Sequence, residues 1–291
     1  VAPNPMPAAE VDVTADLVRR LLADQHPDLA DLAIEPLANG WDNVMFRLGP
    51  SLAVRLPRRE VAARLLANEQ QWLPQLAPHL PLPIPAPTRI GRPALGYPWP
   101  WSVVSLLPGR IAWHNPPAWD DAARTLATFL RALHTPAAPD APANPFRGIP
   151  LAARSDVDTK NLHTLGDLVD TPAVRRVRDA ALAAPRWPGP PVWLHGDLHP
   201  ANILVNDARI TGIIDFGDLT AGDPATDLSV AWMLLPPDHH DTFRTTYKAD
   251  PHTWTRARGW ALALSLAFLS HSSDHPLIAQ IGHQTLTATL A

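Results

Sequence analysis

The sequence predicts an α+β protein of two lobes, a small antiparallel-sheet lobe followed by a larger, mainly helical one. Three observations carry this. Short apolar runs bounded by turn residues crowd the stretch from Ile34 to Leu107, Pro108-Gly109 then breaks the chain, and beyond it long segments with helical apolar spacing dominate. The expected division is 1–107 and 108–291, with the connection near 104–109. At 291 residues, 46% hydrophobic and 18% charged, the chain can bury a sizeable shared core and lacks the composition of a disordered one.

Val13 to Leu22 carries apolar residues at helical spacing, with Thr14 and Asp16 as capping candidates. Ile34 to Leu37 leads into the turn-rich Ala38–Asn43. Val44–Leu48 and Leu52–Leu56 flank Gly49-Pro50 as a hairpin. Arg64–Leu76 reads as a helix, with Glu60 too close to the Pro57-Arg58-Arg59 turn to belong to it. Pro78–Pro100 is too rich in proline for long regular structure. Trp101–Leu107 is a β-favouring run. In the second lobe Trp119–Leu133, Thr171–Ala184, Asp227–Leu235 and Trp254–Ser270 read as helices, Pro136–Pro150 as a loop, and Val192–Leu194, Ile203–Val205 and Ile210–Ile214 as short strands.

The net charge of −4 provides no basic stripe for nucleic acid. With no cysteine there is neither a disulfide framework nor a thiolate metal site. No charged start precedes an apolar run, and the longest apolar stretch, Trp260–Leu269, is too short for a bilayer. A cytoplasmic protein without membrane or nucleic-acid partners, monomeric or homodimeric, is expected. Its basic residues are almost all arginine, Lys160 and Lys248 being the only lysines.

The chemistry concentrates in His195-Gly196-Asp197-Leu198-His199-Pro200-Ala201-Asn202, set between two apolar runs, with Asp215-Phe216-Gly217 after the next such run. His-x-Asp-x-x-x-x-Asn followed by Asp-Phe-Gly is the layout of a kinase catalytic loop. Phosphoryl transfer needs positioning and charge neutralisation more than covalent help. Asp197 would accept or orient the proton of an attacking hydroxyl. Asn202 and Asp215 would offer hard oxygen ligands to Mg2+. Turns between short strands would bring the three oxygens to one mouth. Either motif alone is as often a simple turn; their joint spacing is what specifies chemistry.

WLHGDLHPANILV, IIDFGD and GDPATDL resemble the aminoglycoside phosphotransferase family, small-molecule relatives of the protein kinases. The resemblance runs from about Leu37 to Leu235 and implies a bilobal protein-kinase-like fold and an enzyme that moves the γ-phosphoryl group of ATP, or of GTP, onto a hydroxyl. It implies Asp197 as the catalytic aspartate, Asn202 and Asp215 on Mg2+, and Asp227 bracing the catalytic loop through its backbone, with His195 as a core support of that loop. A helix N-cap before Leu228 is an equal reading of Asp227 and is compatible with bracing. No Gly-x-Gly-x-x-Gly stands at the nucleotide end, so Asn39, Gly40 and Asn43 are the candidate cover over the phosphates. Arg55 stands where a phosphate-pairing lysine is expected, with Glu69 as its partner. Alternation of Ala53-Arg55-Pro57 against Leu52-Val54-Leu56 sets Arg55 off the apolar face, though both residues could simply be solvated. Backbone groups of Ser105 and Leu107 would meet the adenine edge.

Gly196 replaces the arginine of a protein-kinase loop, and Asp223 follows Gly217 by six positions with no Ala-Pro-Glu beyond. This leaves no room for a regulated activation loop and predicts a small hydroxylated substrate. Asp218, Asp238, Asp241 and Asp274 could meet ammonium groups, and Trp232, Met233, Trp254, Trp260 and Phe268 could wall an apolar substrate. Solvation and core packing are the ordinary roles of such residues. An acidic wall would suit an aminoglycoside; an apolar one would suit a macrolide or nucleoside antibiotic, whose phosphorylation would confer resistance. A kinase of a choline- or homoserine-like alcohol, a weakly catalytic nucleotide-binding protein motivated by Arg55, and a metal hydrolase motivated by His195-x-Asp197-x-His199 complete the alternatives.

Overall fold

The structure, a computed structural model, describes residues 8–40, 42–166, 169, 171–272 and 275–291. Two compact units form: one from Met6–Pro108 with Gly212–Gly217, the other from Gly109–Thr211 with Asp218–Ala291.

The first unit is an antiparallel sheet of order β1-β2-β3-β5-β4, made of β1 (Ile34–Asn39), β2 (Asn43–Leu48), β3 (Leu52–Pro57), β4 (Pro87–Gly91) and β5 (Trp101–Ser105). Helix α1 (Ala15–Gln25) starts where Thr14 Oγ1 accepts from the Leu17 N–H at 3.2 Å. It lays Leu17, Val18, Leu21 and Leu22 against Phe46, Leu48, Val54, Leu56, Tyr97, Trp101 and Val103. Helix α2 spans Glu60–Leu76, one turn longer than expected. Glu60 is therefore on the helix: its N–H donates to Glu10 Oε2 at 3.0 Å, and its carboxylate, welcome at a helix N-terminus, pairs with Arg64. Strand β4 forms inside the proline-rich stretch because it is a sheet edge with a register shift between Pro87 and Arg89, where missing donors are tolerated. The segment Gly212–Gly217 joins this unit through the Ile213 N–H donating to Pro83 O at 3.2 Å.

The second unit contains β6 (Arg110–Ile111), β7 (Val192–Leu194), β8 (Ile203–Asn206), β9 (Arg209–Ile213, which ends in the first unit) and β10 (Thr220–Gly222), with β10 pairing β7 and β6 pairing β8. Around them lie α3 (Trp119–Leu133), α4 (Ser155–Leu165), α5 (Thr171–Ala183), α6 (Ala225–Leu228), α7 (Val230–Leu234), α8 (His240–Tyr247), α9 (Pro251–His271) and α10 (Pro276–Leu290). The single helix expected over Asp227–Leu235 is two short ones meeting at Ser229, whose hydroxyl turns back to Thr226 O at 2.6 Å. Among the described residues no helix is long and apolar enough to cross a membrane.

One packing contact in this unit sets the later site. The loop before α4 seats on β10 at a glycine pair: a Cβ on Gly222 would lie 2.1 Å from Gly148 O. Gly222→Ala is expected to lower stability by about 1–3 kcal/mol, read as a shift of the urea midpoint. Gly40→Ala, whose Cβ would meet nothing nearer than 3.6 Å, should stay within about 0.5 kcal/mol of wild type.

Candidate active site

Each unit holds one group of the expected site residues. In the first, Arg55 comes from the middle of β3 and Glu69 from the third turn of α2. Arg55 Nη1 donates to Glu69 Oε2 at 2.5 Å and Nη2 to Asp215 Oδ1 at 3.2 Å. With its amide turned so that Oδ1 faces the guanidinium, Asn43 accepts from Nη2 at 3.0 Å and Nε at 3.1 Å. The arginine is thus engaged on its whole fork, which a lysine could not reproduce.

Burial works against the Arg55 charge, but Glu69, Asp215 and Asp42 more than offset it and hold its pKa above the ordinary arginine value. Burial pushes the Glu69 carboxyl up to about 7, with Arg55 pulling the other way. Its Oε1 is buried without a hydrogen-bond partner among the described residues. Asp215 adopts φ of 63°, a left-handed conformation that aspartate tolerates better than most residues, and leaves its side chain 58% exposed.

The turn after β1 is shorter than expected: Asn39 and Asn43 are strand ends, and the Gly40 N–H donates to Asn43 O at 2.9 Å. Arg58 Nη1 fastens it through Asn39 Oδ1 and Gly40 O, both at 3.2 Å. Ser105 ends β5 opposite Leu52, and Leu107 follows it half-buried.

In the second unit the loop from His195 to Asn202 is held from behind. Asp227 Oδ2 accepts from the His195 N–H at 2.7 Å and Oδ1 from the Gly196 N–H at 2.9 Å. Asp227 is the third residue of α6, not its N-cap; Pro224 holds that position, so the carboxylate is left to the loop. His134 Nε2 lies 3.1 Å from Asp227 Oδ2, and His134 Nδ1 lies 2.8 Å from the Tyr247 hydroxyl. A carboxylate only accepts, so Nε2 carries the proton and Nδ1 accepts from Tyr247. Burial, with Asp227 nearby, pushes the Tyr247 pKa well up. Gly196 has φ of +85°, and a Cβ there would lie 2.3 Å from Asp218 O, so only glycine fits.

That turn delivers Asp197. Its Oδ1 accepts from Arg147 Nη2 at 3.1 Å, and its Oδ2 lies 3.4 Å from His199 Nε2. Burial pushes the Asp197 carboxyl up, but His199 and Arg147 more than offset it and hold it well below the usual carboxylate range. Asn202 Nδ2 donates to Asp197 O at 2.9 Å, which commits the nitrogen end of the amide. His195 Nδ1 and His199 Nδ1 accept from the Asp197 and Ala201 N–H groups, each at 3.2 Å. Those contacts commit one ring nitrogen of each histidine to the loop rather than to a metal, and among the described residues no cluster of three His, Cys, Asp or Glu could hold one.

Asp218 receives Asn144 Nδ2 at 2.6 Å and lies 3.9 Å from Arg147. The remaining substrate candidates are placed differently. Asp238 is exposed on the turn before α8, and Asp241 pairs with Arg244. Trp232 is buried, with its ring centroid 4.5 Å from that of Trp254 at a tilt of 38° and beside His240, so it is core. Asp274 lies outside the described residues. Asn144, Arg147, His134 and Tyr247 are site residues that the sequence did not single out. Asn144-Pro145-Phe146-Arg147-Gly148 reads as an ordinary turn, and neither His134 nor Tyr247 lies in a motif.

Comparison with known proteins fits this geometry. The chain has the protein-kinase-like fold of small-molecule phosphotransferases. The GDP complex of aminoglycoside 2'-phosphotransferase-IIIa aligns with TM-score 0.68 and 21% identity over 94% of this chain and 97% of that one. The macrolide 2'-phosphotransferase MphH from Brachybacterium faecium aligns with TM-score 0.64 and 24% identity over 93% and 97%. The phosphotransferase enzyme family (APH) matches residues 33–260, and the chain belongs to it.

Two relatives match by sequence. The uncharacterized protein YcbJ of Bacillus subtilis (strain 168) is 34% identical over 175 residues, 57% of this chain and 53% of that protein. An aminoglycoside 3'-phosphotransferase of Escherichia coli is 26% identical over 143 residues, 46% of this chain and 52% of that protein. The chain thus spans about half the length of these two relatives.

Asp227→Ala strands two buried N–H groups, each costing about 1–3 kcal/mol. Lower stability and faster amide exchange at His195 and Gly196 are expected, with exchange followed by NMR. The Glu69 carboxyl has a folded pKa, about 7, above its unfolded value, so the folded state binds its proton more tightly. Wild type should therefore lose stability relative to Glu69→Gln as pH rises from about 4.5 to about 7, with no further divergence from this group above that window.

Proposed function

We propose that this chain is a small-molecule kinase that transfers the γ-phosphoryl group of ATP, with Mg2+, to a hydroxyl of an antibiotic-like alcohol. GTP is an alternative donor, and the named aminoglycoside and macrolide phosphotransferases support the acceptor class. The observation that carries the reading is the loop clamped by Asp227. It holds Asp197 ionised and partly exposed, with Asn202 tied to the same backbone.

Each of the two candidate ligands suits magnesium taken by itself. Asp215 is an exposed carboxylate and Asn202 keeps its nitrogen end occupied, leaving Oδ1 for a cation. When bound, magnesium would neutralise charge on the phosphate oxygens.

Asp197 accepts a hydrogen bond from the acceptor hydroxyl and orients its oxygen toward the γ-phosphorus. The new O–P bond forms as the bond to the β-phosphate oxygen breaks. The nucleoside diphosphate leaves with that electron pair, and the hydroxyl proton passes to Asp197 and then to solvent. Arg55, fixed by Glu69, contributes the positive charge on the nucleotide side.

Asp197→Asn should lower kcat about 10²–10⁴-fold and spare nucleotide affinity. Asp215→Asn should weaken magnesium-dependent nucleotide binding itself. A coupled nucleotide-consumption assay across hydroxylated antibiotics and metabolic alcohols, with calorimetry for binding, tests both. Full activity in both variants would sink the assignment, and turnover confined to a metabolic alcohol would replace the antibiotic acceptor.

A further inference from the structure

The segment Asn144–Gly148 sets a guanidinium against the Asp197 carboxylate. Arg147 Nη2 lies 3.1 Å from Asp197 Oδ1 and 3.9 Å from Asp218 Oδ2, and the arginine side chain is only 15% exposed. Its Nε is buried without a hydrogen-bond partner among the described residues. The backbone that presents it is fastened at several points. Asn144 Oδ1 accepts from the Phe146 N–H at 2.8 Å and the Arg147 N–H at 3.1 Å, while its Nδ2 donates to Asp218. Gly148 O accepts from the Asp223 N–H at 3.1 Å, and Pro142 O accepts from the Thr220 hydroxyl at 2.8 Å. Gly148 itself, at φ of +70°, leaves no space for a Cβ, which would lie 2.9 Å from Leu194 and 3.0 Å from Ala221 O. The guanidinium is therefore delivered by a preorganised loop, not by a freely searching side chain.

An acceptor that offers its hydroxyl to Asp197 must approach this cation. The carboxylates that could greet ammonium groups there, Asp197 and Asp218, already face Arg147. A further positive charge within a few ångströms is repelled by this guanidinium, and the two carboxylates it faces are already partly neutralised by it. An uncharged polyhydroxylated acceptor can donate to these carboxylates and accept from the guanidinium without adding charge. We propose that Arg147 is a specificity-determining residue that selects uncharged, sugar-like alcohols over polycationic ones. This rests on the kinase reading with Asp197 at the acceptor hydroxyl. The repulsive element discriminates as effectively as an added attractive contact would.

Kanamycin and its fully N-acetylated derivative present the same hydroxyls with and without ammonium charge. Binding of each to the full chain is measured by calorimetry with magnesium and a non-hydrolysable ATP analogue, and transfer is measured separately with ATP. Wild type should bind the acetylated form about tenfold more tightly or better. Arg147→Gln should bring the ratio to within about threefold, and Arg147→Lys should restore most of the preference. Unchanged nucleotide affinity and far-UV circular dichroism identify variants that remain folded. Equal or tighter binding of kanamycin by wild type, an unchanged ratio in folded Arg147→Gln, or binding of neither compound overturns the inference. Selective binding without transfer to either compound or to any other alcohol sinks the kinase reading instead.

Discussion

The Asp227 carboxylate, accepting two consecutive backbone N–H groups, is the interaction on which the loop from His195 to Asn202 depends. The His195 and Gly196 N–H groups converge on one carboxylate, and Gly196 supplies the left-handed residue that the turn there needs. Burying a carboxylate is costly unless its oxygens are occupied. Here both are, and His134 with Tyr247 behind it completes the shell. Once that anchor stands, the direction of Asp197 follows from the chain, and the bond from Asn202 to the Asp197 carbonyl closes the loop on itself.

In the first unit the hub is a cation. Arg55 gathers Glu69, Asp215 and Asn43 from three elements far apart in sequence. A forked, planar donor can hold three partners at once, whereas an ammonium on a flexible stem holds its partners as a point charge. The pairing offsets only part of the cost of burying Glu69, and the left-handed backbone at Asp215 is the kind of local strain that surrounding structure must over-determine. Stability is thus committed to orienting a few oxygens, a pattern expected where a site must be rigid before its ligand arrives.

Much of the first unit was legible from alternation and turn residues. The β2–β3 hairpin, β5 and α1 follow their apolar patterns because one face of each meets a common core. The start of α2 was misplaced because a proline-arginine turn reads as a stop; only the fold brings Glu10 to satisfy the first N–H of that helix. The proline-rich stretch hid β4, since an edge strand needs only one partner and sequence does not reveal which strands lie at an edge. Arg147 was invisible for a related reason: a lone arginine in a loop has no periodicity, and its importance lies in what the glycine pair Gly148–Gly222 lets it reach.

The sequence by itself determined the family, the loop His195–Asn202 and the Asp215-Phe216-Gly217 turn, because those motifs stand at short, fixed spacings along the chain; it left the pairing of Arg55 with Glu69 open, and the fold closed it. Only the tertiary structure decided that Asp227 grips the loop rather than capping its helix, that Trp232 is core, and that Arg147 stands on Asp197. Those outcomes depend on contacts between segments remote in the chain. Such contacts are settled by backbone close approach and by where buried polar groups find partners, and local pattern carries no record of either.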